Sequence, residues 1–140
     1  MITGIAHLAF RVSDLDQALD FYCHKLGMRE AFRLDREGHP SPWIVYLRVA
    51  PGQFVELFPH REGPIPPQDP TAAYQHLCLA VDDMTATLQQ LRDRGLDVPG
   101  EPRQGRDHNW QYWIADPDGN RIELMQMSPD SPQAAADTLA

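Results

Sequence analysis

A chain that carries the same segment twice is constrained to fold as two copies of one unit, and this sequence repeats itself. Residues 7–19 read HLAFRVSDLDQAL and residues 76–88 read HLCLAVDDMTATL. From position 7 to position 76 the offset is 69, and His, Leu, Val, Asp and Leu recur in register, with Leu15 matched to Met84. A second match closes each half. Gly52-Gln-Phe-Val-Glu56-Leu-Phe58 aligns with Gly119-Asn-Arg-Ile-Glu123-Leu-Met125, an offset of 67 from position 52 to position 119. Two separate segments that agree on nearly one offset define a duplicated unit.

Each half carries one coarse pattern. Ile5 to Val12 alternates between turn residues and predicts a strand. Ser13 with Asp16 three residues on resembles a capping box with Asp in place of Glu. Leu15, Ala18, Leu19, Tyr22 and Leu26 then follow at helical spacing, and Gly27 ends the helix. Strands are predicted near Arg29–Leu34, Trp43–Val49 and Gln53–Phe58. In the second half Gln75 to Val81 predicts the strand, Met84, Leu88 and Leu91 the helix stripe, and Gly95 its end. Strands follow near Gly100–Arg103, Gln111–Ala115 and Arg121–Met127. Pro51-Gly52 and Pro117-Asp118-Gly119 mark the last hairpin turns. The expected organisation is a βαβββ module over 1–58, a Pro-rich linker over 59–73, a second module over 74–127 and a mobile tail over 128–140. The fold class is α+β, with tandem βαβββ modules forming open, cup-shaped mixed sheets and the helices outside.

The alternation of a strand decides which side chains share a face. His7, Ala9 and Arg11 oppose Leu8, Phe10 and Val12, and His76, Cys78 and Ala80 oppose Leu77, Leu79 and Val81. Phe54, Glu56 and Phe58 oppose Val55 and Leu57, while Arg121, Glu123 and Met125 oppose Ile122 and Leu124. All four potential ligands therefore lie away from the helices. A lone strand His or Glu is usually a solvated or satisfied residue. Only six of 140 residues are His, however, so the joint recurrence of His7 with His76 and Glu56 with Glu123 favours one divalent metal site. Two neutral imidazoles and two carboxylates balance a divalent charge, which removes the cost of burying it. Ni, Co, Zn and Mn all accept this mixed donor set.

Composition narrows the partners. With 140 residues, 42% of them hydrophobic and 23% charged, the chain suits one domain or two small modules sharing a core. A net charge of −8 leaves no electrostatic footprint for nucleic acid or an anionic membrane. An anionic substrate must be held by a local cluster of Arg or by a metal, against that global field. No apolar run reaches the length of a membrane span, and no basic region precedes an apolar core at the N-terminus, so the cytoplasm is the expected compartment. Cys23 and Cys78 form neither a disulfide framework nor a CxxC pair and are expected to be small buried hydrophobes.

The motifs His7-Leu-Ala-Phe-Arg-Val-Ser-Asp, Asp20-Phe-Tyr through Leu26-Gly-Met28, and Phe54-Val-Glu56-Leu resemble the vicinal oxygen chelate superfamily. His76-Leu-Cys-Leu-Ala-Val-Asp and Asp116-Pro-Asp-Gly-Asn-Arg-Ile-Glu123-Leu extend that resemblance over residues 2 to about 127. The superfamily includes glyoxalase I, methylmalonyl-CoA epimerase, extradiol dioxygenases, and fosfomycin and bleomycin resistance proteins. In ligand pattern the chain is most similar to bacterial-type glyoxalase I, lactoylglutathione lyase, which implies metal ligands His7, Glu56, His76 and Glu123. The resemblance also implies a homodimer with shared sites and a small-molecule substrate, the hemithioacetal of a 2-oxoaldehyde and a thiol. The implied reaction is proton abstraction through a metal-stabilised enediolate, with Glu123 as base, Glu56 as ligand and second base, and Arg11 as anion clamp.

Two departures concern the thiol. Glyoxalase I resembles Glu-Leu-Thr followed by an Asn-Trp pair that contacts glutathione, whereas Leu57-Phe58-Pro59-His60-Arg61 stands here. The loop before the last hairpin carries Arg106-Asp107-His108-Asn109-Trp110 in place of the usual Lys and Gly. Trp110, Tyr112 and Trp113 are candidates to line a more aromatic pocket, with ordinary strand packing the equal alternative. The rival readings are another metalloenzyme of the superfamily (an epimerase, a thiol transferase or a ring-cleaving dioxygenase) or a metal-free drug-binding protein. Glu56 argues against the dioxygenase, since it fills a position that oxygen needs.

Overall fold

A computed structural model of the chain describes residues 1–59, 65, 66, 69, 71 and 73–137. The chain divides into two compact units, Met1–Pro67 and Gln68–Ala140. Most of the Pro-rich stretch expected to be a linker lies outside the described residues, while Pro59 belongs to the last strand of the first unit.

In the first unit, strand β1 (His7–Val12) leads into helix α1 (Leu15–Leu19), which continues as a π-helical turn over Asp20–Lys25. Strands β2 (Arg29–Leu34), β3 (Ile44–Ala50) and β4 (Gln53–Pro59) follow. The sheet order is β1-β4-β3-β2, with β1 parallel to β4 and the other pairs antiparallel. A parallel pair needs a crossover, and the helix supplies it. The alternation of β1 sorts as expected. Phe10 and Val12 are buried with Ala18, Phe21 and Tyr22, while His7, Ala9 and Arg11 are exposed.

The second unit repeats this topology. Strand β5 (Leu77–Ala80), helix α2 (Met84–Asp93) and strands β6 (Arg103–Gln104), β7 (Trp110–Ala115) and β8 (Arg121–Gln126) form a sheet of order β5-β8-β7-β6. Strands β5 and β8 are the parallel pair. Met84, Leu88 and Leu91 on the helix are buried, as are Ile122 and Leu124 on β8.

Repeat symmetry extends to the helix caps, which correct the sequence expectation. The N-cap of α1 is Asp14 and not Ser13. Its carboxylate accepts the backbone N–H of Gln17 at 3.0 Å and the Gln17 side-chain amide at 3.0 Å. In the second unit the equivalent Asp83 accepts from the N–H of Ala86 at 2.9 Å. An Asp oxygen at N-cap reaches the N3 amide directly, so Ser13 remains one residue outside the helix. Gly27 and Gly95 end the two helical segments at φ of 81° and 79°, a backbone region that a side chain disfavours.

Two further differences lie at the ends. Strand β1 begins at His7, and Ile5 lies outside it, 79% exposed. Beyond β8 the chain forms a short helix, α3 (Pro132–Asp137), where composition gave only a tail. The device that draws this stretch in is Asn109, itself fully buried. Its side-chain oxygen accepts from the N–H of Ser128 at 3.0 Å, and its amide donates to Asp107 at 2.9 Å and Gln133 at 3.2 Å.

Candidate functional site

Strand register brings each His to its Glu within its own unit. In the parallel pair of β1 and β4, His7 stands beside Phe54 and Ala9 beside Glu56. His7 and Glu56 are thus diagonal neighbours on the face away from the helix. The His7 Nδ1 to Glu56 Oε1 distance is 3.5 Å, with the carboxylate buried and the imidazole half exposed. Directly opposite Glu56 on β3 is Tyr46. Its hydroxyl donates to the Glu56 carboxylate. That bond, with partial burial and the carboxylate charge, pushes the phenol above its ordinary value.

The second unit repeats the pair with different neighbours. His76 lies one residue before β5, and its Nε2 is 3.1 Å from Glu123 Oε2. Glu123 is again buried, at 7% exposed. Across β5 from Glu123 stands Cys78. Partial desolvation of the sulfur, the Glu123 charge, the hydrogen bond to Glu123 and the charge of Asp107 together push this thiol up to about 12. Across β7 stands Trp113, at the repeat position of Tyr46. The Trp113 ring meets the His76 ring edge-on at 4.7 Å, and the Arg121 guanidinium carbon lies 4.5 Å from its centroid. Trp113 is therefore a wall against His76.

Several residues fall elsewhere than expected. Of the three aromatic candidates only Trp113 shares the Glu123 face. Trp110 pairs with Gln126 and Tyr112 with Leu124 on the opposite face, and the Tyr112 hydroxyl donates to the carbonyl of Pro99 at 2.6 Å. A two-residue strand period separates them, which a reading by composition overlooked. Cys78 is exposed and Cys23 half-buried, so neither is the buried core residue expected. Arg11 shares the open face with His7, opposite Phe58. Asp107 and Asn109 of the loop before β7 are engaged in the network that holds Ser128 and Gln133. His60 and Arg61 lie outside the described residues. What sequence reasoning missed is the pairing of Tyr46 with Glu56 and of Cys78 with Glu123. The signal is the register across from each Glu, which a single strand does not reveal.

The donor chemistry fits a divalent cation. Each Glu is buried with an imidazole beside it, and a buried carboxylate favours a compensating cation. Among the described residues no group of three or more His, Cys, Asp or Glu side chains is gathered to hold a metal ion. Each unit contributes one pair. No helix among the described residues is long and apolar enough to cross a membrane.

Duplicated βαβββ units thus each place a His–Glu pair on the sheet face away from the helix. The chain belongs to the Glyoxalase/Bleomycin resistance protein/Dioxygenase superfamily, which it matches over residues 4–124. It is 32% identical over 130 residues to a "Probable lactoylglutathione lyase" of Synechocystis sp., covering 89% of this chain and 95% of that protein. It is 28% identical to a "2-epi-5-epi-valiolone epimerase" of Actinomyces sp., covering 92% and 82% of the two chains. The crystal structure of a superfamily member from Sphaerobacter thermophilus matches with a TM-score of 0.68 and 27% identity, over 90% of this chain and 98% of that one.

Proposed function

We propose that the chain is a metal-dependent glyoxalase I-like isomerase, acting on the hemithioacetal of a 2-oxoaldehyde and a thiol. The observation that carries this reading is the recurrence of a His beside a buried Glu in both units. The relative named as a probable lactoylglutathione lyase supports it. His7, Glu56, His76 and Glu123 are the proposed ligands of one divalent ion, Ni, Co, Zn or Mn, with the site completed across a homodimer. When bound, such an ion supplies Lewis-acid stabilisation of negative charge developing on substrate oxygens, worth several kcal/mol.

The remaining chemistry falls to side chains. Glu123 takes the proton from the carbon next to the carbonyl and returns it to the neighbouring carbon, so no net charge or redox equivalent is consumed. Glu56 stays in place as a ligand, steadied by Tyr46. Arg11 holds an anionic end of the substrate. Trp113 limits water and motion beside His76.

The epimerase relative favours a second reading, in which the same proton transfer inverts a stereocentre next to a carbonyl. Both readings share the base and differ in the carbon that receives the proton. Turnover of methylglyoxal hemithioacetals is measured with each metal and with several thiols, beside racemisation of 2-oxo substrates. The isomerase reading expects thioester formation that falls a hundredfold or more in Glu123→Gln. Inversion without thioester formation establishes the epimerase instead, and near-native thioester formation by Glu123→Gln removes Glu123 from the role of base.

A further inference from the structure

The open face of the first sheet carries a second cluster beside the His7–Glu56 pair. One rung crosses all four strands: His7 beside Phe54, Phe54 beside Arg48, and Arg48 beside Arg29. The next rung holds Ala9, Glu56, Tyr46 and Phe32. Directly opposed residues share a face, so Arg48 and Arg29 lie on the same side as Glu56. A register shift between Glu30 and Phe32 keeps both Arg29 and Phe32 on this face although they are three residues apart.

Arg29 and Arg48 are direct partners in the β2–β3 register, and like charges directly opposite across strands weaken a sheet. Both Arg29 and Arg48 are exposed, and neither side chain has an ion pair or hydrogen bond among the described residues. The contrast within the same strand is sharp. Arg33, on the other face of β2, is neutralised by a two-pronged bond to Glu30 at 2.7 and 2.9 Å. In a chain of net charge −8, a paired and unneutralised Arg site is the local exception that an anion requires.

We infer that Arg29 and Arg48 form an anion-binding site for the carboxylate or phosphate group of a small molecule whose other end reaches His7 and Glu56. Neighbouring strands are about 4.8 Å apart, so the rung places the Arg48 backbone about 10 Å from that of His7. A ligand of that length lies over the Phe54 ring, with its anion between two forked donors that suit planar or tetrahedral oxyanions. Its connection to turnover rests on the isomerase reading, but the binding itself does not.

The test therefore uses neither metal nor turnover. The Arg side-chain Nε–H resonances of the metal-free full chain are followed by NMR during titration with inorganic phosphate and, separately, with glutarate, at constant ionic strength. Saturable shifts of both Arg29 and Arg48 with at least one anion are expected, and the stronger arm identifies phosphate or carboxylate. In Arg48→Gln the dissociation constant is expected to rise at least tenfold, whereas Arg103→Gln, which removes the same charge from the other unit, leaves it unchanged. The inference is overturned by the absence of saturation with both anions, or by equal weakening in the two variants. If the wild type binds the anion but, in a separate assay loaded with Ni, Co, Zn or Mn, turns over no hemithioacetal, the isomerase reading fails and this site stands.

Discussion

Tyr46 lies directly across the β3–β4 ladder from Glu56, and the corresponding rung of the second unit holds Trp113 across from Glu123. Duplication thus preserves the His and Glu of each half while changing the residue that faces the Glu. Glu56 receives a phenolic donor and Glu123 a thiol and an aromatic wall. The two carboxylates therefore sit among different neighbours.

The Tyr46 phenol is held protonated by its bond to Glu56. A folded-state value above the unfolded one gives stability that is complete below the unfolded value and lost as pH rises through the folded one. Glu56→Gln is expected to return the Tyr46 titration toward its ordinary value of 10.0. Titration of ring-labelled tyrosine by NMR checks this, and an unmoved Tyr46 in the variant contradicts it.

Cys78 is exposed yet poorly nucleophilic, because its thiol is pushed up to about 12. In the metal-free protein at pH 8, its alkylation by iodoacetamide is expected to run roughly a hundredfold or more slower than that of a free cysteine peptide. Glu123→Gln removes two of the raising causes and is expected to speed the reaction. The same shift lowers stability only as pH rises above the thiol's ordinary value of 9.0. Mass spectrometry of the alkylated cysteine resolves it from Cys23, and a peptide-like rate at Cys78 refutes the assignment.

The repeated caps make a paired expectation. Asp83→Ala is expected to cost about 1 kcal/mol in urea unfolding. Asp14→Ala acts in the same direction and Ser13→Ala has a smaller effect. The Asp14 carboxyl lies below its usual range because of its Gln17 bonds, so its contribution is present above the unfolded value and lost as pH falls through the folded one. A Ser13→Ala variant as damaging as Asp14→Ala overturns the cap assignment.

What the sequence reveals follows from how far apart the deciding residues are. Periodicity within β1 and β4 is local, so the open face of His7, Ala9 and Glu56 was legible, as were both helices and the duplication itself. Residues that meet across strands were not. Tyr46 reaches Glu56 and Cys78 reaches Glu123 only through register, and Trp110 parts from Trp113 because three residues in a strand change face. The cap shifted by one residue, from Ser13 to Asp14, because both side chains are competent and only backbone geometry chooses. The final segment escaped composition because Asn109, a polar residue 19 positions earlier, supplies its anchor.

The central claim is that the two His–Glu pairs serve a single divalent ion. Elemental analysis of protein purified without chelator, run on the wild type and on His7→Ala, Glu56→Gln, His76→Ala and Glu123→Gln, addresses it most directly. One divalent ion per chain in the wild type, lost or greatly weakened in all four variants, is the expected result. Metal retained when one pair is removed, or a wild type that takes up no Ni, Co, Zn or Mn, contradicts the claim.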